Sequence, residues 1–228
     1  MVNLTCGIAL ASMLSLASGG STTGSSMTTY KVRVTNLTFK QDFGPVIIVA
    51  HEKGSAPLFN EGGKSTKAIK LMAEDGSTRL IQVEIARGDA GYSCGFARAR
   101  TDLLPGETWN AEIRVNENKC KDAVYSVVAK LANTNDAFMG INGAKFPKKC
   151  PSKSFPPAFD AGTEKNNEKC TCMPGRACPA SPKNPKENHG RGSEGFIHVH
   201  RGIQGVGDLS QADYDWKNPV AEVVVSKA

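Results

Sequence analysis

The chain has 228 residues, of which 39% are hydrophobic and 22% charged, an ordinary balance for a folded soluble protein able to bury a real core. Its net charge of +6 is concentrated: ten Lys or Arg face four acids between residues 145 and 191, which leaves the remainder neutral. No recognised nucleic-acid-binding motif accompanies that charge, which argues against a nucleic-acid partner; a basic loop of this kind suits an anionic glycan or a membrane surface.

The first thirty residues carry no charged side chain and include the apolar run "CGIALASMLSLASGG". With Ala17 and Gly19 as small residues suited to cleavage, residues 1–19 read as a secretory signal peptide, although the usual basic n-region is missing. The run is too short for a membrane span, which needs about 20 residues. Residues 20–29 read as a flexible lead-in, and the remainder, 30–228, as one domain of an extracellular protein.

From residue 30 the pattern is strand-like. "YKVRVTNLTF" alternates, "GPVIIVAH" is a short apolar run, "TRLIQVEIA" and "TWNAEIRV" alternate, and "AVYSVVAKLA" and "PVAEVVVSK" are rich in β-branched residues. Strands of this length between Gly, Pro, Asn and Asp signals predict an all-β antiparallel sandwich or barrel. "KSTKAIKLMAED" instead has helical spacing at Ile69, Met72 and Ala73. Residues 147–193 lose strand periodicity and read as one long basic, Cys-rich loop inserted into the domain.

Outside the leader there are six cysteines, Cys94, Cys120, Cys150, Cys170, Cys172 and Cys178. An even count in an exported chain favours disulfides, whose pairing spacing alone leaves open. Asn36, in "NLT", is a glycosylation acceptor by pattern.

Two of the four histidines stand in "GFIHVHRGI". In an extended segment His198 and His200 share one face, opposite Ile197 and Val199, and their spacing suits a shared ion. His51 ends the run "VIIVAH"; were its strand adjacent, three imidazoles would converge as copper or zinc ligands. Asp160 or Glu164 would then add an oxygen ligand or orient a ring. No Gly-x-Ser-x-Gly elbow, His-Glu-x-x-His helix or phosphate-cradling loop occurs, so a non-enzymatic role is expected; a metalloenzyme built on the three histidines is the alternative.

In chain order, "YKVRVTNLTF", "GPVIIVAHEKGSAPLF", "AEDG", "LLPGETWNAEIRV", "VAKLANTNDAFMGING", "PAFDAGTEKNNE", "EGFIHVHRGI" and "DYDWKNPVAEVVV" together resemble the spondin N-terminal domain family of secreted matrix proteins, and its single-domain microbial branch more than its animal one. The resemblance implies a jelly-roll, C2-like β-sandwich, an adhesion role in the extracellular matrix with cell-surface partners, and a calcium ion on loop carboxylates. Carried over by motif, those ligands are Asp136, Asp160, Glu164 and, least directly, Glu112. The Cys-rich excursion beside "DAGTE" departs from the family pattern.

Overall fold

The computed structural model describes residues 27–87, 94–173, 175–178 and 192–228; the expected signal peptide lies outside them. Twelve elements follow in order among the described residues: β1 (Met27–Asn36), β2 (Ile47–His51), α1 (Lys67–Asp75), α2 (Arg79–Arg87), β3 (Gly95–Arg98), β4 (Thr108–Asn116), β5 (Val124–Lys130), β6 (Ala137–Lys145), β7 (Ser152–Ser154), β8 (Ala158–Asp160), β9 (His198–Val199) and β10 (Ala221–Lys227). They form two antiparallel sheets, ordered β4-β1-β10-β7 and β3-β2-β5-β6-β8-β9, the sandwich that the strand pattern predicts.

Burial along each strand reports its position. β1 and β10 alternate buried and open residues, as strands with one wet face do, whereas every residue of β2 and β5 is buried. The inner face of the six-stranded sheet contributes Ile48, Val127 and Met139 to a core shared with Val32, Ile113 and Val223 of the other sheet. Its outer face contributes Val49, Val128, Phe138 and Phe159 to a second core under the two helices. The helices thus form a third layer and make the central strands doubly covered.

α1 matches the predicted helix: the Thr66 hydroxyl accepts from the amide of Ile69, and Gly76, at φ 71°, closes the C-terminus in the left-handed region. α2 corrects the reading of "TRLIQVEIA" as a strand. Ile81 and Ile85 fit both a period of two and an i, i+4 helical stripe, and the sheet face beneath α1 selects the helix by burying that pair. β1 likewise begins at Met27, inside the expected lead-in. β7 and β8 lie inside the stretch read as one long loop, too short to show a period.

Among the described residues two disulfides are seen: Cys94–Cys120, tying the start of β3 to the turn after β4, and Cys170–Cys178. The second closes a small loop fastened inward, where the Arg176 guanidinium donates to both carboxylate oxygens of Asp42 at 2.5 and 2.8 Å. Arg176 stays exposed, but Asp42 pairs its charge and so reduces the positive surface expected of that loop. Asn36 also corrects its expected role: fully buried, it donates from Nδ2 to the carbonyls of Gln41 and Leu103, so the atom a glycan would need is engaged in the core. No helix among the described residues is long and apolar enough to cross a membrane.

Candidate metal centre

The pairing of β6 divides the expected ligands between two ends of one sheet. At one end Lys145 pairs with Val124, which pairs with His51; at the other, Ala137 pairs with Asp160, which pairs with His198. The nine residues of β6 separate these ends by roughly 25 Å. His51 is thus remote from the other two histidines, and its ring nitrogens meet the hydroxyls of Ser55 and Ser126 at 3.1 and 2.9 Å. Glu112 is farther still from the arrangement expected, exposed on β4 opposite Lys31 in the other sheet.

At the Ala137 end the structure brings together Asp160, His198 and a residue not anticipated, Glu194. One ligand atom from each lies within 4.8 Å of the others. They border a cleft of about 530 Å³ whose walls include Asn135, Asn166, Glu168, Phe196 and Gln204. Gly162 makes the approach possible: at φ 63° it crosses the Phe196 backbone so closely that a Cβ would sit 2.2 Å from the Phe196 carbonyl oxygen. The amide of Gly195 donates to the Gly162 carbonyl at 3.0 Å, fixing Glu194 beside the turn that follows Asp160.

The two histidines of "HVH" are chemically different. His198 Nδ1 lies 3.1 Å from the Val199 carbonyl, which only accepts, so in the neutral ring Nδ1 carries the proton and Nε2 the lone pair. That Nε2 is buried, makes no hydrogen bond, and stands 3.7 Å from Asp160 Oδ1. His200 has the opposite tautomer: its Nδ1 accepts from the amide of Gly202 at 3.0 Å, and its ring stacks on Trp216 with centroids 5.4 Å apart. Burial, more than any other cause, pushes it down to about 4, so it is a neutral packing group. The single-face arrangement expected of the pair also fails. β9 is a two-residue edge strand, and Val199 is exposed where Ile197 is buried.

Asp160 is fully buried, accepting from the Gly162 amide at 2.7 Å on Oδ1 and from Asn166 Nδ2 at 2.5 Å on Oδ2. Burial and the nearby Asp136 push its carboxyl up to about 7. A cation would relieve this cost by pairing the charge.

Asp136 and Glu164 belong to a different arrangement. Asp136 Oδ2 accepts from the amides of Thr163 and Glu164 and from the Thr163 hydroxyl, so "DAGTE" wraps one carboxylate oxygen. Glu164 is buried, and burial followed by the charges of Glu74 and Asp136 pushes it up to about 8, while Lys130 pulls it back. Lys130, an unforeseen participant, points its buried ammonium at the carbonyls of Ala73, Thr134 and Asn135.

One imidazole with two carboxylates is a mixed nitrogen and oxygen set, which suits zinc or a similar ion; calcium prefers six to eight oxygens. Around zinc, ligand atoms stand roughly 3.4 Å apart, so the observed separations need contraction of about an ångström. In sequence comparisons no protein-family model and no curated protein matches the chain.

Proposed function

We propose that this is a secreted, spondin-like, non-catalytic binding module whose metal centre, Asp160, Glu194 and His198, braces the cleft through which it meets an extracellular protein or an anionic glycan. The observation that carries the metal assignment is the orphaned His198 Nε2, with its lone pair directed by the Val199 carbonyl and two carboxylates beside it. An ion there would join β8, β9 and the loop before β9 at one sheet edge, giving a weakly paired two-residue strand a fixed position. The ordered resemblance of the motifs supplies the adhesion class, and two disulfides agree with an oxidising compartment.

Several polar groups of the cleft already serve the fold, which favours binding over turnover. Glu168 accepts from the amides of Gln204 and Val206 at 2.5 and 2.9 Å, and Asn166 holds Asp160. The alternative copper or zinc site built on His51, His198 and His200 loses support from their separation and from the His200 tautomer.

The test is elemental analysis of natively secreted, untagged protein with His198→Ala and Glu194→Gln variants, together with melting in zinc, calcium and chelator. Near-stoichiometric zinc that disappears in both variants is expected. Identical melting in every buffer with no bound metal overturns the proposal, since an ion bound only by the folded state must raise apparent stability.

A further inference from the structure

Lys130 ends β5 with its side chain directed into the protein, and only 2% of the residue is exposed. Two glycines border its stem: a Cβ on Gly44 would stand 3.4 Å from the Lys130 Cβ, and one on Gly76 3.8 Å from its Cδ. The ammonium reaches three main-chain carbonyls, those of Ala73, of Thr134 at 3.2 Å and of Asn135 at 3.0 Å. An ammonium has three N–H donors, and here each meets one carbonyl. Ala73 lies in the last turn of α1, where carbonyls lack helical partners and the helix dipole favours positive charge.

Carboxylates complete the surroundings. Burial disfavours the ammonium and pushes Lys130 down to about 8, while Asp136, Glu164, Asp75 and Glu74 pull it back up, and Lys130 exerts the reciprocal pull on Asp136 and Glu164. Asp136 Oδ1 is wholly buried and has no hydrogen-bond partner, although Oδ2 takes three bonds. Carbonyls converging on one point with buried carboxylates behind them form the donor set of a hard divalent cation. The point of convergence already holds positive charge.

We infer that these groups form a cation cage which the chain fills with its own Lys130 ammonium, in place of an exchangeable divalent ion such as calcium. This departs from the calcium site that the spondin resemblance places on Asp136 and Glu164, and it stands independently of the zinc assignment at Asp160. The tethered cation joins the C-terminus of α1 to the 134–136 loop without drawing on extracellular calcium. Removing the ammonium while keeping the oxygens opens the cage. A calcium ion then enters if the carbonyls draw in from about 3 Å to roughly 2.4 Å.

The deciding variant is Lys130→Met in the full secreted chain, in a Glu194→Gln, His198→Ala background that silences the neighbouring centre. Titration with calcium chloride is expected to show one site with a dissociation constant on the order of 10⁻⁵ to 10⁻³ M. Calcium at about a hundredfold excess over that constant should raise the melting temperature by roughly 5–10 °C. The background protein that retains Lys130 should show neither effect. Stoichiometric calcium in that protein, or a folded Lys130→Met variant indifferent to calcium, overturns the inference. Should the variant not fold during secretion, dilution from urea into calcium or chelator decides. Recovery only with calcium supports the cage, and equal recovery, or failure in both, overturns it.

Discussion

The Lys130 cage and the Asp160, Glu194, His198 centre occupy the same end of the six-stranded sheet, where Lys130 pairs with Phe138 and Ala137 with Asp160, yet they balance buried negative charge in opposite ways. In the first, a lysine from the central strand supplies the cation and three carbonyls orient it. In the second, on an edge strand beside the cleft, a lone pair and two carboxylates face one another with no such side chain among them. The contrast teaches that proximity of acids does not by itself define a metal site. What matters is whether a cationic side chain of the protein already stands among them, as Lys130 does in the first and none does among Asp160, Glu194 and His198.

The largest expected effect strikes the first arrangement. Asp136→Ala removes a counter-charge of Lys130 together with the acceptor of the Thr163 and Glu164 amides, leaving a buried ammonium and two donors poorly matched. Each buried donor left unsatisfied costs about 1–3 kcal/mol, so a loss of several kcal/mol is expected. Urea unfolding should show that loss even with zinc present. A loss below 1 kcal/mol, judged against the roughly 1.4 kcal/mol of a single tenfold change, would mean that Lys130 is balanced by its carbonyls alone.

Gly162→Ala sharpens the other half of the comparison. The left-handed φ and the 2.2 Å approach to Phe196 force the β8–β9 connection apart. We expect a loss of roughly 1–3 kcal/mol from strain and at least a tenfold weakening of zinc binding, since a misplaced ligand changes the coordination distance directly. Calorimetric zinc titration checks the second effect. An unchanged dissociation constant would separate the Phe196 crossing from the geometry of the centre.

How far these two arrangements can be read from sequence differs for physical reasons. The sandwich is legible because β-branched, alternating segments have few other uses, and α1 because Ile69, Met72 and Ala73 share a face. α2 is not, because Ile81 and Ile85 satisfy two periods at once. "HVH" marks the right strand, but spacing treats its histidines as equivalent. The Val199 carbonyl and the Gly202 amide divide them into a ligand candidate and a packing group. Glu194 carries no local pattern and is recruited by the Gly162 crossing. Lys130, within "VVAKLA", looks like an outward lysine on an amphipathic strand; only the helix packed across that face makes it buried.

A smaller effect distinguishes the two regions by pH. The Glu164 carboxyl is held at about 8, above its ordinary 4.5, so the folded state keeps a proton that the unfolded state has released across that window. Its contribution is complete below pH 4.5 and declines as pH rises through 8, at most about 1.4 kcal/mol per pH unit. Glu164→Gln removes this slope. The stability of the natural chain relative to the variant should therefore fall between pH 5 and 8 by no more than about 4 kcal/mol, and by less to the extent that solvent screens the carboxyl. Parallel urea curves across that range provide the measurement, and a constant difference would place Glu164 outside the charge balance of Lys130.

The smallest expected effect is the control that gives the comparison its boundary. Glu112 faces solvent on β4, opposite Lys31 and on the sheet that carries neither cluster. Glu112→Gln changes one exposed charge, for which a stability change within about 0.5 kcal/mol is expected. Its zinc content should equal that of the natural chain, because no strand links Glu112 to β8 or β9. A variant that loses metal would mean that the centre draws a ligand across the sandwich or from a second copy of the chain. Either route would require Asp160, Glu194 and His198 to be an incomplete set, so elemental analysis of this apparently silent substitution tests whether one sheet edge is sufficient to hold the ion.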